Sequence, residues 1–280
     1  MRFTVLGASG FIGRNLASHL RDEGHDVFAP TRNDEGRFRG FLGHVIYCIG
    51  LTADFRNRPF DTVRAHVSVL SDVLERADFT SLLYLSSTRL YSKASKTSET
   101  ATLPVTTFEP SDLYNLSKLM GESLCLNSGR NGTRIARLSN VVGFDPDSDN
   151  FLPALIREAL AGTIALQSAL NSSKDYVALE DVLAILPRLA VDGLESIYNV
   201  ASGRNIRNSE LTTQLKALTG CSVQIAEHAP VQRFPPIRIE RLCQEFHFSP
   251  SNPLERLPDL VAAYRRGHDA KIAGRIGGPQ

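Results

Sequence analysis

Residues 3–13, Phe3-Thr4-Val5-Leu6-Gly7-Ala8-Ser9-Gly10-Phe11-Ile12-Gly13, constrain this chain more than any other segment. An apolar, partly β-branched run ends at Gly7, and from Phe11 to Glu23 the apolar residues Phe11, Ile12, Leu16 and Leu20 recur at helical spacing. The pattern predicts strand, tight turn, helix. Glycine at every third turn position lets the chain reverse sharply, lets backbone N–H groups approach a bound pyrophosphate, and lets helix and strand pack closely. The helix N-terminus then favours the anion. Plain turns also use glycine, so the motif gains meaning from the strand before it and the helix after it.

The same alternation continues down the chain. Gly24 closes the helix and His25–Ala29 predicts a second strand, completing one strand–helix–strand unit. Val45–Ile49 and Leu82–Leu85 are buried-strand candidates on either side of a helix over Asp61–Ala77, whose Val63, Val67, Leu70 and Leu74 form its inward face. Ser92–Pro110, rich in Ser, Thr and Pro, reads as a long functional loop. Helices are expected over Leu113–Leu126, Phe151–Ala161 and Val182–Ala190, the last opened by Asp181, with strands at Arg134–Leu138 and Tyr176–Leu179. These imply an α/β fold with helices on both faces of a parallel sheet. Beyond Ile197 come Tyr198–Val200, a helix over Ser209–Leu218, a proline-rich stretch and a helix over Leu254–Arg265. The expected division is a dinucleotide-binding unit over 1–140, with 175–202 returning to it, and a smaller substrate unit over 141–174 and 203–270. Residues 271–280 are expected to form a mobile tail.

Composition removes several classes of function. Lys plus Arg (31) balance Asp plus Glu (30), so no charge excess favours nucleic acid or anionic lipid. The longest apolar run, Val45–Leu51, is far below the roughly 20 residues that cross a bilayer. Gly7 follows the first residues too closely for a signal peptide, and a cytoplasmic location is expected. Four scattered cysteines and seven scattered histidines lack metal-ligand spacing, so metal-free chemistry is expected.

Tyr114 and Lys118 lie one helical turn apart on one face. An ammonium near a phenol favours the phenolate, which suits proton transfer; the plain alternative is an exposed helix pair. Ser87 follows a buried strand, where open α/β sheets display catalytic groups, and it could equally cap the strand end.

The turn glycines, Ser86-Ser87 with Tyr91, Tyr114-x-x-x-Lys118, Lys174-Asp175-Tyr176-Val177 with Asp181, and Tyr198–Gly203 stand in the order found in extended short-chain dehydrogenases/reductases. The chain resembles the NAD-dependent epimerase/dehydratase branch, over roughly residues 1–262. That resemblance implies a Rossmann-type doubly wound sheet with a smaller C-terminal substrate domain, and a nucleotide-linked sugar as substrate. It implies Tyr114 as general acid/base, Lys118 as the group that lowers its pKa and holds the nicotinamide ribose, and Ser87 as a hydrogen-bond partner of the same substrate oxygen. Hydride would pass between the sugar and the nicotinamide. Gly7, Ser9, Gly10, Phe11, Ile12, Gly13 and Gly50 would hold the dinucleotide. Thr88, Asn140 and Arg233 would meet the substrate, against plain readings of Asn140 as a turn former and Arg233 as a solvated charge. Asp175 and Asp181 would be structural, a hydrogen-bonding turn and a helix N-cap. A homodimer through the helices at Asp61–Ala77 and Leu113–Leu126 is expected on the same ground.

The sequence departs from the family in several places. Only eleven residues, Asn33–Gly43, separate Arg32 from His44, too few for the helix and third strand that flank adenine. Tyr47 stands where histidine is common, and Ile49 is bulkier than expected. Thr88 and Arg89 occupy the place of the Asp-Glu pair with which sugar dehydratases eliminate water, so a 4-keto-6-deoxy product is not expected. After the second strand comes Thr31-Arg32 rather than a carboxylate, which favours NADP(H) over NAD(H); stacking on adenine is the alternative for Arg32. Two rival functions remain: an NADPH-dependent reductase of a small carbonyl compound, and a non-catalytic dinucleotide-binding regulator.

Overall fold

The computed structural model describes residues 1–34, 36, 38–52 and 54–276, with side chains through Gly267. Strand β1 (Arg2–Leu6) runs through the glycine turn into helix α1 (Phe11–Asp22), followed by β2 (Asp26–Phe28) and β3 (His44–Tyr47). Helix α2 (Pro59–Val63) passes through a π-turn (Arg64–Ser68) into α3 (Val69–Arg76). Strand β4 (Ser81–Ser87) leads through a 3₁₀ turn (Thr88–Tyr91) and a long irregular segment to α4 (Asp112–Asn127), then β5 (Thr133–Leu138). Next come β6 (Asn140–Val142), α5 (Phe151–Leu160), β7 (Thr163–Leu166), β8 (Ser173–Ala178) and α6 (Leu179–Asp192). The chain closes with β9 (Ile197–Val200), β10 (Asn205–Arg207), α7 (Asn208–Thr219), β11 (Ser222–Ile225), α8 (Glu240–Phe246) and α9 (Pro253–Ile276).

Six strands form one parallel sheet in the order β2-β1-β3-β4-β5-β9. Alternating residues of the same strand feed two cores. Phe3, Val5, Ile46, Leu83 and Leu85 pack against Leu16 and Leu20 of α1 and Val182, Leu186 and Leu189 of α6. Leu6, Val45, Tyr47, Leu82 and Tyr84 pack against Leu70 and Val73 of α3 and Cys125 of α4. The sheet is therefore covered on both faces, as parallel sheets require. A third core joins Leu155 and Ile156 of α5, Leu211 and Leu215 of α7, and Leu257 and Val261 of α9 to Tyr176 and Ile206. It sits beside two small sheets, β10-β8-β6 and β11-β7.

Several elements differ from their sequence expectation. The strand expected at Tyr176–Leu179 is β8, and it pairs with β6 and β10 rather than joining the large sheet. The helix expected to end at Arg265 continues to Ile276, within the stretch expected as a tail; residues 277–280 lie outside the described residues. The helix expected over Asp61–Ala77 starts at Pro59 and contains the π-turn, and its inward face shifts with it. Thr62, His66, Leu70, Val73 and Leu74 are buried while Val63 is exposed. A π-turn inserts one extra residue into the helical repeat, so everything before it is turned out of phase with everything after it. Between Arg32 and His44 the described residues form turns and one isolated bridge from Phe41 to Asp78, and β2 is the last strand on its side of the sheet. No described helix is long and apolar enough to cross a membrane.

Candidate active site

The strand order reverses direction between β1 and β3, so the connections leaving their carboxyl ends part and leave a crevice. A cleft of about 810 Å³ occupies that crevice and extends toward the third core. Gly10–Gly13, Cys48–Gly50, Leu85–Arg89, Tyr114, Lys118, Leu138–Val142 and Lys174–Tyr176 are among its lining residues.

The glycine turn forms one wall. Gly7 has φ +89°, and a Cβ there would stand 2.8 Å from the Ile49 nitrogen. A Cβ on Gly13 would overlap the Gly7 carbonyl, so this glycine permits α1 to press against the turn. The Gly10 N–H donates to the Gly7 carbonyl at 3.0 Å. At the start of α1 no side chain caps the helix and no acidic residue lies in the first turn, so its positive end faces the cleft without a protein anion. A pyrophosphate fits this cradle, by the space the glycines leave and by the charge that awaits it. Ser9 is exposed on the turn.

The opposite wall carries Ser87, Tyr114 and Lys118. Strand β4 ends at Ser87, whose Oγ accepts the Arg89 N–H at 3.2 Å and so caps the 3₁₀ turn. Ser87 and Tyr114 line the same wall of the cleft, so capping and site membership coexist in one residue. Tyr114 is 5% exposed, and burial pushes its phenol above the ordinary value while the Ser87 hydroxyl and the Arg89 charge oppose the rise. Lys118, 4% exposed, donates to the Leu85 carbonyl at 2.8 Å and lies 4.9 Å from the Tyr84 ring centre. Burial lowers its pKa to about 7, against the pull of the Glu122 carboxylate. The Arg89 charge is the one that opposes the rise at Tyr114. Lys118 is turned toward the strand carbonyl and is itself near its titration point at neutral pH.

Of the other residues singled out in the sequence, Phe11, Ile12, Gly50, Thr88 and Asn140 line the cleft. Asn140 opens β6, and its Nδ2 donates to the Asp175 carbonyl at 2.7 Å. Thr31 and Arg32 are exposed beyond β2, outside the lining, with Arg32 close enough to act electrostatically on Asp61. Arg233 bridges Ser173 through its backbone with its side chain exposed; its neighbours Phe234 and Pro235 line the cleft instead. Asp175 accepts from the N–H and hydroxyl of Ser202 at 3.0 and 2.9 Å. Asp181 lies inside the first turn of α6 rather than at its N-cap, and accepts from the N–H and hydroxyl of Ser251 at 2.7 and 2.9 Å. Tyr47, in place of the family's histidine, is fully buried and donates to the Ala65 carbonyl at 2.6 Å.

Sequence reasoning missed His66, Arg89 as a cleft residue, and Lys174. His66 lies in the π-turn, fully buried, where burial drives its pKa down to about 2. The Leu51 N–H donates to Nε2 at 3.2 Å, which leaves the proton on Nδ1 for Ser117 Oγ at 2.8 Å, and Ser117 donates in turn to the Tyr114 carbonyl at 2.8 Å. The ring also meets Tyr114 edge-on at 5.2 Å. A neutral histidine therefore ties the backbone after Gly50 to the helix turn that carries Tyr114. Lys174 stands next to Asp175 in a segment that carries the family resemblance, and it lines the cleft.

The family model for the NAD-dependent epimerase/dehydratase family matches residues 3–201 of this chain. Compared by sequence with curated proteins, the chain finds no match. Among solved structures it is similar to MoeE5 in complex with UDP-glucose and NAD, at TM-score 0.80 and 20% identity over 95% of this chain and 99% of that one. It is also similar to RMD from Pseudomonas aeruginosa complexed with NADPH, at TM-score 0.76 and 22% identity over 94% and 99%. A third is UDP-glucose 4-epimerase from Thermotoga maritima with UDP-glucose, at TM-score 0.77 and 18% identity over 95% and 99%. At these identities the likeness shows a shared fold.

Proposed function

Because this chain belongs to the NAD-dependent epimerase/dehydratase family, we propose that it is an oxidoreductase or epimerase acting on a nucleotide-linked sugar through Ser87, Tyr114 and Lys118. The observation that carries this reading is that Ser87, Tyr114 and Lys118 line one wall of a cleft whose other wall is an anion cradle. Gly7, Ser9, Gly10, Phe11, Ile12 and Gly13 would hold the dinucleotide pyrophosphate, and Gly50, Tyr114 and Lys118 its nicotinamide ribose. When bound, the dinucleotide supplies the hydride acceptor or donor. Tyr114, kept neutral by burial, gives its proton to a substrate carbonyl oxygen or takes one from a hydroxyl, with Ser87 hydrogen-bonded to the same oxygen. Arg89 stabilises the phenolate left behind. Asn140 and Thr88 meet the substrate. The test is a binding screen of nucleotide sugars with NADP⁺ or NAD⁺ present: at least one should bind and be turned over, and binding by none would end this reading.

Lys118 gives the site a pH dependence whose direction follows from burial. Its folded pKa is about 7 against an ordinary 10.5, so between those values the unfolded chain holds a proton that the folded chain has lost. Stability linked to this residue therefore rises with pH across that window. Dinucleotide affinity should move the opposite way, because the ammonium is the form that donates to ribose hydroxyls. Above pH 7 binding must take up a proton, and affinity should fall by up to about tenfold per pH unit. Isothermal titration at pH 7 and 8.5 checks this; an equal fall in Lys118→Met would place the effect elsewhere.

We also propose a preference for NADP(H). Thr31 and Arg32 follow β2 where an NAD site needs a carboxylate, and the nearest acid, Asp34, accepts the Gly36 N–H at 2.9 Å within its own loop. Arg32→Ala should weaken NADPH binding by about 10- to 100-fold, the worth of charge-assisted hydrogen bonds, and leave NADH binding unchanged. Tighter binding of NADH than NADPH by the unaltered chain would overturn it.

A homodimer through α2 and α4 completes the proposal. Phe60, Val63, Met120 and Leu126 are exposed on these two helices, Phe60 by 82%. An apolar face of this kind favours burial against a second copy.

A further inference from the structure

Arg89 and Lys174 bring two cations to the cleft, and among the described residues neither forms an ion pair with a carboxylate. The Arg89 guanidinium carbon lies 5.3 Å from the Phe55 ring centre and 5.9 Å from that of Tyr114, and its Nε is buried with no hydrogen-bond partner. Lys174, on β8, places Nζ 4.7 Å from the Phe151 ring centre. Both side chains line the same cleft, burial lowers the pKa of both groups, and the Arg89 charge lowers that of Lys174 further. Arg56 adds a third positive charge at the Phe55 side, with Nη2 donating to Ser111 Oγ at 2.8 Å.

The Asp112 and Glu109 charges act on Arg89 through space, but the acids that line or flank the cleft make their hydrogen bonds to other groups, Asp54 to Asn57 at 2.8 Å among them. Asp112 accepts from Lys93 at 2.8 Å, the Thr106 N–H at 2.9 Å and Asn115 at 2.8 Å. Asp175 is held by Ser202, and Asp149 pairs with Arg157 at 3.7 Å. Glu109 reaches the Ser111 N–H at 3.5 Å. Half-buried cations without a counter-ion are costly to keep, and a ligand that supplies the missing anion recovers that cost.

The position of Arg89 says where on the ligand the anion sits. Its own N–H holds Ser87 and its guanidinium stands beside the Tyr114 ring, so it serves the reacting end of the sugar. The diphosphate of a nucleotide sugar is joined at the anomeric carbon, so an anion at the reacting end would have to belong to the sugar itself, and an acid group on a carbon next to the reacting one would supply it.

We propose that Arg89 and Lys174 form a carboxylate subsite, and that the sugar is therefore a uronate rather than a neutral hexose. This deepens the nucleotide-sugar reading above and rests on it. Guanidinium forks suit a carboxylate through paired N–H donors, and the ammonium adds a point charge on its other side.

The test compares UDP-glucuronate, UDP-glucose and UDP by titration calorimetry, with dinucleotide present, against the full chain and its Arg89→Gln and Lys174→Gln variants. Thermal melts establish that each variant is folded, and Lys174→Gln serves alone if Arg89→Gln is not. The expected result is a uronate bound at least tenfold more tightly than the hexose, with that margin lost in each variant and hexose affinity unchanged. Equal affinity for uronate and hexose in the unaltered chain would overturn the subsite. So would a common loss for all three ligands in the variants, which assigns the pair to the diphosphate and leaves the nucleotide-sugar reading standing. Binding of none of the three would remove the uronate subsite together with the reading under it.

Discussion

Replacing Tyr114 by phenylalanine is expected to lower turnover by about 10²- to 10⁴-fold, the usual contribution of a general acid/base, to leave the fold intact, and to weaken dinucleotide binding by no more than the one hydrogen bond its hydroxyl would make to the ribose. The substitution removes one oxygen. The ring contacts with Phe55 and His66, both at 5.2 Å, remain, and so does the Ser87 cap on the Arg89 N–H. What disappears is a hydroxyl that is buried and whose pKa burial raises. Rapid kinetics with a nucleotide sugar, beside a titration with dinucleotide, separate chemistry from binding. Turnover near that of the unaltered chain would mean that another group moves the proton.

The second large effect is expected away from the cleft surface. Arg137 on β5 and Glu122 on α4 form a two-point ion pair, with Nε to Oε1 at 2.9 Å and Nη2 to Oε2 at 2.6 Å, both side chains 4% exposed. Ser86 donates to the same carboxylate at 2.5 Å. Arg137 also donates to the Tyr91 hydroxyl at 2.6 Å, and Tyr91 donates to Asn199 of β9 at 2.8 Å. Arg137→Met leaves Glu122 charged and buried without its counter-ion, and should cost about 3 to 5 kcal/mol of stability in urea unfolding. Pairing it with Glu122→Leu should return part of that loss, because no uncompensated charge remains. A cost below about 1 kcal/mol for the single substitution would show that water or another group reaches Glu122.

This pair illustrates what a linear reading cannot find. Glu122 and Arg137 stand 15 residues apart on a helix and a strand that meet only through packing, and neither falls in a spacing that chemistry alone would flag. The alternation of apolar runs did point to the parallel sheet, because strands buried on both faces leave a continuous apolar signature. Ser87, Tyr114 and Lys118 could be singled out because the strand end and the helical spacing place them by local rules. His66 was not singled out, since the apolar pattern of Val63, Val67, Leu70 and Leu74 defined the inward face and a histidine does not stand out in it, although it is fully buried in the π-turn. Arg89 and Lys174 were read within their segments, and their convergence depends on β8 leaving the large sheet for a small one. The proline-rich stretch and the third core carry little periodicity that local rules can use.

The π-turn also joins two things that are usually tuned separately. One residue of helical phase carries His66 to the interior, where it braces the Tyr114 turn, and carries Val63 to the exterior beside Phe60. Each residue in an α-helix turns the chain by about 100°. Deleting one residue within 64–68 would restore a regular helix and rotate everything before it by that angle. The brace behind the reactive tyrosine and the apolar outer face would then be lost in a single step, so selection on either one holds the other in place.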